Sequence, residues 1–181
     1  MNGNQLVAKL LKNEGVEFLS CFPAQPLIDA CSQEGIRPIL CRQERAGVNI
    51  ADAYSRIHNG NKIGVFTMQH GPGAENAFGG VAQAFADNVP ILVIPGGASE
   101  TRVGVHPGFD AVPNYQYITK WAGRINSVKR IPEMMSRAFT NLRHGRPGPV
   151  LLELPGDVGD ADVPGNIEEY TPVKTYKSAA A

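Results

Sequence analysis

The sequence has no excess of charge of either sign. Lysine plus arginine and aspartate plus glutamate each number 17 among 181 residues, which gives a formal net charge of zero. Electrostatic binding of nucleic acid or of an anionic membrane requires a basic surface, so we expect neither as a partner. A chain near zero net charge does tolerate self-association.

Cysteine is scarce, and long apolar runs are absent. The three cysteines, Cys21, Cys31 and Cys41, form no C-x-x-C pair and have no histidine at ligand spacing, so we predict buried, reduced thiols and no metal site in this chain. The first residues lack the basic and apolar regions of a signal peptide. The longest apolar stretches, such as residues 89–95, are too short to span a bilayer. We therefore expect a soluble, cytoplasmic protein.

The sequence does contain a regular alternation of strand and helix signals, in a globular composition of 43% hydrophobic and 19% charged residues. This alternation predicts an α/β fold with a doubly wound parallel sheet and helices on both faces. Strands are predicted over residues 16–22, 37–41, 62–68, 91–94, 121–127 and 149–154. Helices are predicted from Asn4 as N-cap to Gly15, then over 26–33, 44–58, 74–87 and 131–142, with 98–119 irregular.

In two of these elements the pattern of apolar residues predicts which faces are buried. The run at 62–68 is apolar almost throughout, which is typical of a strand buried on both faces of a parallel sheet. The helix over 44–58 places five side chains on one face at helical spacing, namely Ala46, Ile50, Ala53, Tyr54 and Ile57.

The alternation stops after Pro155. The sequence then becomes polar, contains Pro164 and Pro172, and ends in S-A-A-A. We expect a single domain over residues 1–158, followed by a linker or tail over residues 159–181.

Two strand-to-helix junctions contain residues suited to chemistry. Glu44 lies between the apolar residues 38–41 and a predicted helix, and Q-H-G-P-G-A-E-N-A at 69–77 spans the next junction. Open α/β folds build their sites at the carboxyl ends of strands. A lone carboxylate in a first helical turn often only complements the helix dipole, so the functional prediction depends on both segments together.

Four segments in order resemble a known family. They are R-Q-E-R-A-G with A-D-A-Y-S-R at 42–56, G-P-G-A-E-N-A at 71–77, N-V-P-I-L-V-I-P-G at 88–96, and I-T-K-W-A at 118–122 with G-R-P-G-P-V-L-L-E-L-P-G-D at 145–157. Over residues 4–158 the chain resembles the N-terminal pyrimidine-binding domain of thiamine diphosphate enzymes, the superfamily of acetolactate synthase, benzaldehyde lyase and 2-oxo acid decarboxylases.

The resemblance implies thiamine diphosphate as cofactor and Glu44 as a catalytic and cofactor-binding residue. In the family, a glutamate hydrogen-bonds N1′ of the pyrimidine and favours the tautomer whose 4′-nitrogen removes the C2 proton. Glu44 matches that glutamate. The cofactor then supplies the organic chemistry, and the protein supplies orientation and electrostatics.

The resemblance also implies cofactor contacts from the turn Gly71-Pro72-Gly73. The turn lacks the pattern of a phosphate loop, and its glycines let the backbone approach a flat ring, although a plain strand-to-helix connection has the same composition. Asn76 is expected mainly to brace this turn, and direct contact with the cofactor is the alternative that makes it a further cofactor-binding candidate. Pro23 is a further cofactor-binding candidate, in the segment L-S-C-F-P-A at 19–24 that replaces a glycine-containing signature of the family.

His70 and His106 are catalytic candidates by region. In related decarboxylases, histidines from these two regions reach the substrate and relay protons, whereas the alternative here is a pair of ordinary loop histidines. The family's F-Q-E substrate segment is replaced by H-P-G at 106–108, and Gln43 replaces a common histidine. These departures leave the 2-oxo acid and the acceptor open.

The family's Mg²⁺ and diphosphate motif, G-D-G…N-N, is not matched by G-D-V-G-D at 156–160. The resemblance therefore implies Mg²⁺ bound by a diphosphate-binding domain of another chain, in a dimer or tetramer. This chain would be part of a longer lyase, carboligase or decarboxylase acting on 2-oxo acids, or the pyrimidine-binding subunit of a split one. A second hypothesis is a stand-alone, non-catalytic α/β module that binds a ligand or a partner.

Overall fold

The computed structural model describes residues 1–23, 25–167 and 169–175. Six strands are found in these ranges: β1 Phe18–Phe22, β2 Arg37–Leu40, β3 Gly64–Met68, β4 Ile91–Gly97, β5 Trp121–Arg124 and β6 Val150–Pro155. The α-helices are α1 Gly3–Asn13, α2 Pro26–Gln33, α3 Glu44–Ile57, α4 Pro72–Ala86, α5 Ala111–Tyr115, α6 Ile131–Arg143 and α7 Gly156–Asp160. Short 3₁₀ turns cover Glu100–Arg102 and Val128–Arg130.

The six strands form one parallel sheet in the order β2-β1-β3-β4-β6-β5. Parallel neighbours require long crossovers, which the helices provide. The sheet has two hydrophobic cores, and adjacent residues of β4 belong to different ones. Leu92 belongs to the core with α1, α2 and α6, whereas Val93 belongs to the core with α3, α4 and α5. The doubly wound fold predicted from the sequence is confirmed, and all five residues of β3 are buried as predicted.

Helix α3 packs on the sheet through a different face from the apolar one identified in the sequence. Ala46 and Ala53 are exposed, and Ile57 is 75% exposed. The buried face instead includes Gly47, Val48 and Ala51. Small residues lie there because the helix backbone is very close to the strand: a Cβ on Gly47 would overlap the ring of Phe66 in β3, and one on Gly64 would overlap the carbonyl oxygen of Ala51.

Helix α1 begins earlier than predicted. Its N-cap is Asn2, whose side chain accepts from the amide of Gln5 at 3.0 Å while the Gln5 side chain accepts from the amide of Asn2 at 2.9 Å. The predicted cap, Asn4, lies inside the first turn and donates to Asp160 at 3.2 Å. The segment 98–119, predicted as irregular, contains a 3₁₀ turn and the short helix α5.

Residues 161–175 that the structure describes lie against α1 and α6. The amide of Gly3 donates to Ala161 and that of Val163 donates to Met1, both at 3.0 Å. Val163, Ile167, Tyr170 and Val173 pack on the core between the sheet and these helices. The boundary between a domain over 1–158 and a linker or tail over 159–181 stays a prediction, and residues 168 and 176–181 lie outside the described part.

A buried carboxylate holds this C-terminal segment in place. The Glu14 side chain is inaccessible to solvent, and it accepts hydrogen bonds from the Tyr170 hydroxyl, the Val173 amide and the Arg143 guanidinium. Arg143 also donates to the carbonyl of Val173 at 2.6 Å. Its ion pair with Glu14 therefore joins α1, α6 and the segment.

All three cysteines are buried and free, as predicted. Burial raises the pKa of Cys21 to about 11 and that of Cys31 to about 12, so both thiols are protonated at neutral pH. No helix in the described part of the chain is both long enough and apolar enough to cross a membrane.

The close contact of Gly47 with Phe66 predicts that an added methyl group is destabilising at Gly47 but not at Gly79. Gly47→Ala should lower the free energy of unfolding by about 1–3 kcal/mol because the added methyl forces α3 away from β3. Gly79→Ala, on the exposed side of α4, meets only the end of the Arg45 side chain at 3.1 Å, and it should be neutral or stabilising by up to about 1 kcal/mol. Urea unfolding of both variants checks this, and equal destabilisation would contradict the packing described.

Candidate functional site

The predicted site residues follow the strands at one edge of the sheet. Pro23 follows β1, Glu44 follows β2 after a short connection, and His70 with the Gly71–Gly73 turn follows β3. Because all strands are parallel, their carboxyl ends meet at this edge. The structure therefore places these segments along one rim, with β1 between the other two strands.

Glu44 is a buried carboxylate with one restrained oxygen. It is the first residue of α3 and is 3% exposed. Its Oε2 accepts a hydrogen bond from Nδ2 of Asn76 at 3.3 Å. None of the hydrogen bonds among the described residues involves Oε1, so this oxygen can accept from, or share a proton with, a group that enters from outside the domain.

The side chain of Asn76 has a different contact from the one predicted. The sequence suggested that it braces the turn before α4, but its amide bonds Glu44 in the neighbouring helix. Asn76 thereby joins the first residue of α3 to α4 and orients the carboxylate.

The turn before α4 depends on its two glycines and its proline. Gly71 has φ 67° and ψ −109°, a conformation that suits glycine, and Pro72 begins the helix. A Cβ on Gly73 would lie 2.8 Å from Cγ of Gln69. Tyr115 of α5 is fully buried, and its hydroxyl donates to the carbonyl of Ala74 in α4 at 2.7 Å. Helix α5 therefore fixes where α4 begins.

Pro23 lines an apolar groove along β1 and β2, and Glu44 is not among the residues that line it. The groove has a volume of about 710 Å³, and its other lining residues are Cys21, Phe22, Gln25, Pro26, Ile28, Asp29, Pro38 and Leu40. Leu40 is 72% exposed. The nearby Gln25 donates through its amide to the carbonyl of Met68 and therefore links the loop after β1 to the end of β3.

His70 and His106 line one cavity although 35 positions separate them in the sequence. The cavity has a volume of about 160 Å³ and is also lined by Arg102, Phe109 and Arg124. His70 further lines a second cavity of about 180 Å³ together with Gln25 and Gly97. The structure thus brings the two candidate histidines to the same part of the rim.

The sequence interpretation missed an ion-pair cluster beside this cavity. Arg124, at the end of β5, donates through Nε to Glu153 of β6 and through Nη2 to Asp110 at 2.8 Å. Glu153 is fully buried, and burial raises its pKa against the opposing effect of Arg124. The sequence did contain a signal for this cluster. Glu153 is a charged residue within the apolar strand 150–155, and buried charges are nearly always paired.

Comparisons with known proteins assign the chain to a family. Residues 1–118 match the family described as "Thiamine pyrophosphate enzyme, N-terminal TPP binding domain". The chain belongs to this family. The match covers α1 to α5 and therefore includes Glu44, the Gly71–Gly73 turn and both candidate histidines.

Similar proteins include acetolactate synthase large subunits. The chain is 38% identical over 168 residues to that of Lactococcus lactis, and the match covers 90% of the chain and 29% of the relative. It is 33% identical over 175 residues to the isozyme 2 large subunit of Escherichia coli, covering 94% and 31%. A probable large subunit from Methanocaldococcus jannaschii is 34% identical over 175 residues, covering 94% and 29%. The chain thus spans less than a third of the length of these relatives.

The contact between α5 and α4 predicts a measurable loss of stability. Tyr115→Phe keeps the ring against Phe78 but removes the hydrogen bond to Ala74, and it should cost about 1 kcal/mol of unfolding free energy. Tyr117→Phe is the matched control because Tyr117 is 84% exposed, and it should change nothing. Thermal and urea unfolding measure both. A neutral Tyr115→Phe would mean that α5 does not restrain the turn.

Proposed function

We propose that this chain is the pyrimidine-binding part of a thiamine diphosphate-dependent lyase or carboligase of the acetolactate synthase type, which acts on 2-oxo acids. The observation that carries this proposal is the environment of Glu44: the carboxylate is buried, Asn76 donates to one of its oxygens, and the other oxygen makes no hydrogen bond to a described residue. A carboxylate that served only the helix dipole would gain little from burial.

The residues present fit the pyrimidine end of that cofactor. Glu44 offers a carboxylate oxygen to a ring nitrogen, Asn76 keeps it oriented, and the turn Gly71-Pro72-Gly73 presents backbone without bulky side chains to a flat ring. When bound, thiamine diphosphate supplies the carbon nucleophile of the reaction. The chain's part is to hold a proton at Glu44 and to exclude water around it.

The parts of the active site that lie outside this chain are proposed from the family and from the greater length of the relatives. The relatives are about three times as long as the match, and we propose that a diphosphate-binding domain of another chain holds Mg²⁺ and the diphosphate. The protein would then act as a cytoplasmic homodimer or tetramer. Pro23, His70 and His106 are proposed to face cofactor or substrate in that assembly, His70 and His106 as the catalytic pair.

Glu44→Gln in the protein that also contains the diphosphate-binding domain tests the proposal. Glutamine keeps the size of the side chain but cannot share a proton, so kcat should fall by about 10²–10⁴-fold. Cofactor affinity should change little, because a neutral hydrogen bond contributes only about 1 kcal/mol. The decisive measurement is hydrogen–deuterium exchange at C2 of bound thiamine diphosphate.

The matched control is Glu75→Gln, the same chemical change at an exposed position in the first turn of α4. It should leave the exchange rate unaltered. If Glu44→Gln exchanged as fast as wild type, Glu44 would only complement the dipole of α3, and a non-catalytic binding module would become the better description.

The 181-residue chain alone should bind thiamine diphosphate weakly and should not decarboxylate 2-oxo acids, because it supplies contacts to the pyrimidine end only. Isothermal titration calorimetry with and without Mg²⁺ measures this. Tight, Mg²⁺-dependent binding would contradict the division of the site between two domains.

A further inference from the structure

Ser20 is a polar residue in the middle of the otherwise apolar strand β1, and it is fully buried. Its Oγ lies 2.8 Å from the carbonyl oxygen of Gly47 in α3 and 3.1 Å from that of Val65 in β3. A hydroxyl has one proton to donate, and the shorter distance makes Gly47 its main acceptor. Because a buried hydroxyl without a partner is costly, this bond restrains the distance between β1 and α3.

The bond from Ser20 reaches α3 close to Glu44. Gly47 is three residues after Glu44, so the two lie about 4.5 Å apart along the helix axis. The N-cap Gln43 makes no side-chain hydrogen bond to a described amide of the first turn, and helix ends fray more readily than helix interiors. Ser20 therefore joins α3 to the sheet where the helix itself provides the least restraint.

Asn76 and Ser20 restrain different parts of Glu44. Nδ2 of Asn76 donates to the carboxylate at 3.3 Å, which is long for an N–H···O bond and leaves the side chain dependent on its backbone. The contact of Gly47 with the ring of Phe66 prevents α3 from moving closer to the sheet. The bond from Ser20 prevents the same turn from moving away, so the backbone of Glu44 is held from both directions.

A second serine joins the other end of α3 to the sheet in the same way. Ser55 is fully buried, its hydroxyl donates to the carbonyl of Pro90 at 2.7 Å, and it accepts from the amide of Gly64 at 2.8 Å. Ser55 lies about two helical turns beyond Gly47. The two serines therefore share their chemistry and their burial, but only Ser20 acts on the part of the helix that contains Glu44.

We propose that Ser20 is a positioning residue for Glu44, which through the carbonyl of Gly47 holds the first turn of α3 where the carboxylate can meet the pyrimidine ring of the cofactor. This inference rests on the proposed role of Glu44. Functional side chains must be held within about 0.5 Å of their productive position, and a misplacement of about 1 Å can slow a reaction by about 10²-fold. One buried hydrogen bond to the backbone can therefore control the reaction without contacting cofactor or substrate.

The test compares Ser20→Ala with its matched control, Ser55→Ala, in the protein that also contains the diphosphate-binding domain. Both variants should unfold at a lower urea concentration than wild type, because each loses a buried hydrogen bond. Only Ser20→Ala should slow hydrogen–deuterium exchange at C2 of bound thiamine diphosphate, by about 10–100-fold. The double variant Ser20→Ala with Glu44→Gln should exchange no more slowly than Glu44→Gln alone, because Ser20 acts through Glu44.

A second measurement uses the ¹⁵N-labelled 181-residue chain without cofactor. Ser20→Ala should speed the exchange of backbone amides with solvent at residues 45–48 and leave residues 55–58 unaltered, and Ser55→Ala should do the reverse. This comparison reports on the restraint of each end of α3 independently of the reaction.

Several outcomes overturn the inference: unchanged C2 exchange in Ser20→Ala, equal slowing by Ser55→Ala, further slowing in the Glu44→Gln background, or unchanged amide exchange at residues 45–48. If Ser20→Ala does not fold, Ser20→Cys decides by the same measurements, because it keeps the size of the side chain but donates only weakly. When Glu44→Gln slows C2 exchange and Ser20→Ala does not, the inference alone fails. When Glu44→Gln has no effect either, the proposed function fails with it.

Discussion

The close approach of α3 to β3 is the constraint on which the site depends. Gly47 lies against the ring of Phe66, and Gly64 lies against the backbone of Ala51. The hydroxyl of Ser20 in β1 donates to the carbonyl of Gly47 at 2.8 Å, so the first turn of α3 is bound to the sheet one turn after Glu44. This short distance buries the carboxylate while its helix still begins at the open rim.

The sequence was sufficient to predict the parallel α/β architecture and to identify Glu44 as a candidate site residue. Strand and helix signals that alternate along a chain leave few topologies other than a doubly wound sheet, and β3 is apolar because it is buried on both faces. Glu44 and the Gly71–Gly73 turn could be singled out because each is a short local motif at a strand-to-helix junction. The pairing of Glu44 with Asn76 could not be predicted, since it depends on how two helices pack.

Other features were hidden because they are tertiary. The cluster of Asp110, Arg124 and Glu153 joins three segments with no shared periodicity, and it exists only because β5 lies beside β6 at that edge of the sheet. The exposed apolar face of α3 misled the periodicity argument because glycine and small residues, not large apolar ones, form its packing face. The N-cap of α1 was misplaced because Asn2 and Asn4 are both acceptable caps, and the reciprocal bond with Gln5 decides between them.

The buried ion pair of Glu14 and Arg143 makes one cooperative unit of the two ends of the described chain. Removal of either partner would leave a buried charge unpaired at a cost of about 3–5 kcal/mol, and it would release Tyr170 and Val173 at the same time. Amides of α1 near Gly3 and of the segment near Val163 should therefore exchange with solvent together, because they open as one cooperative unit.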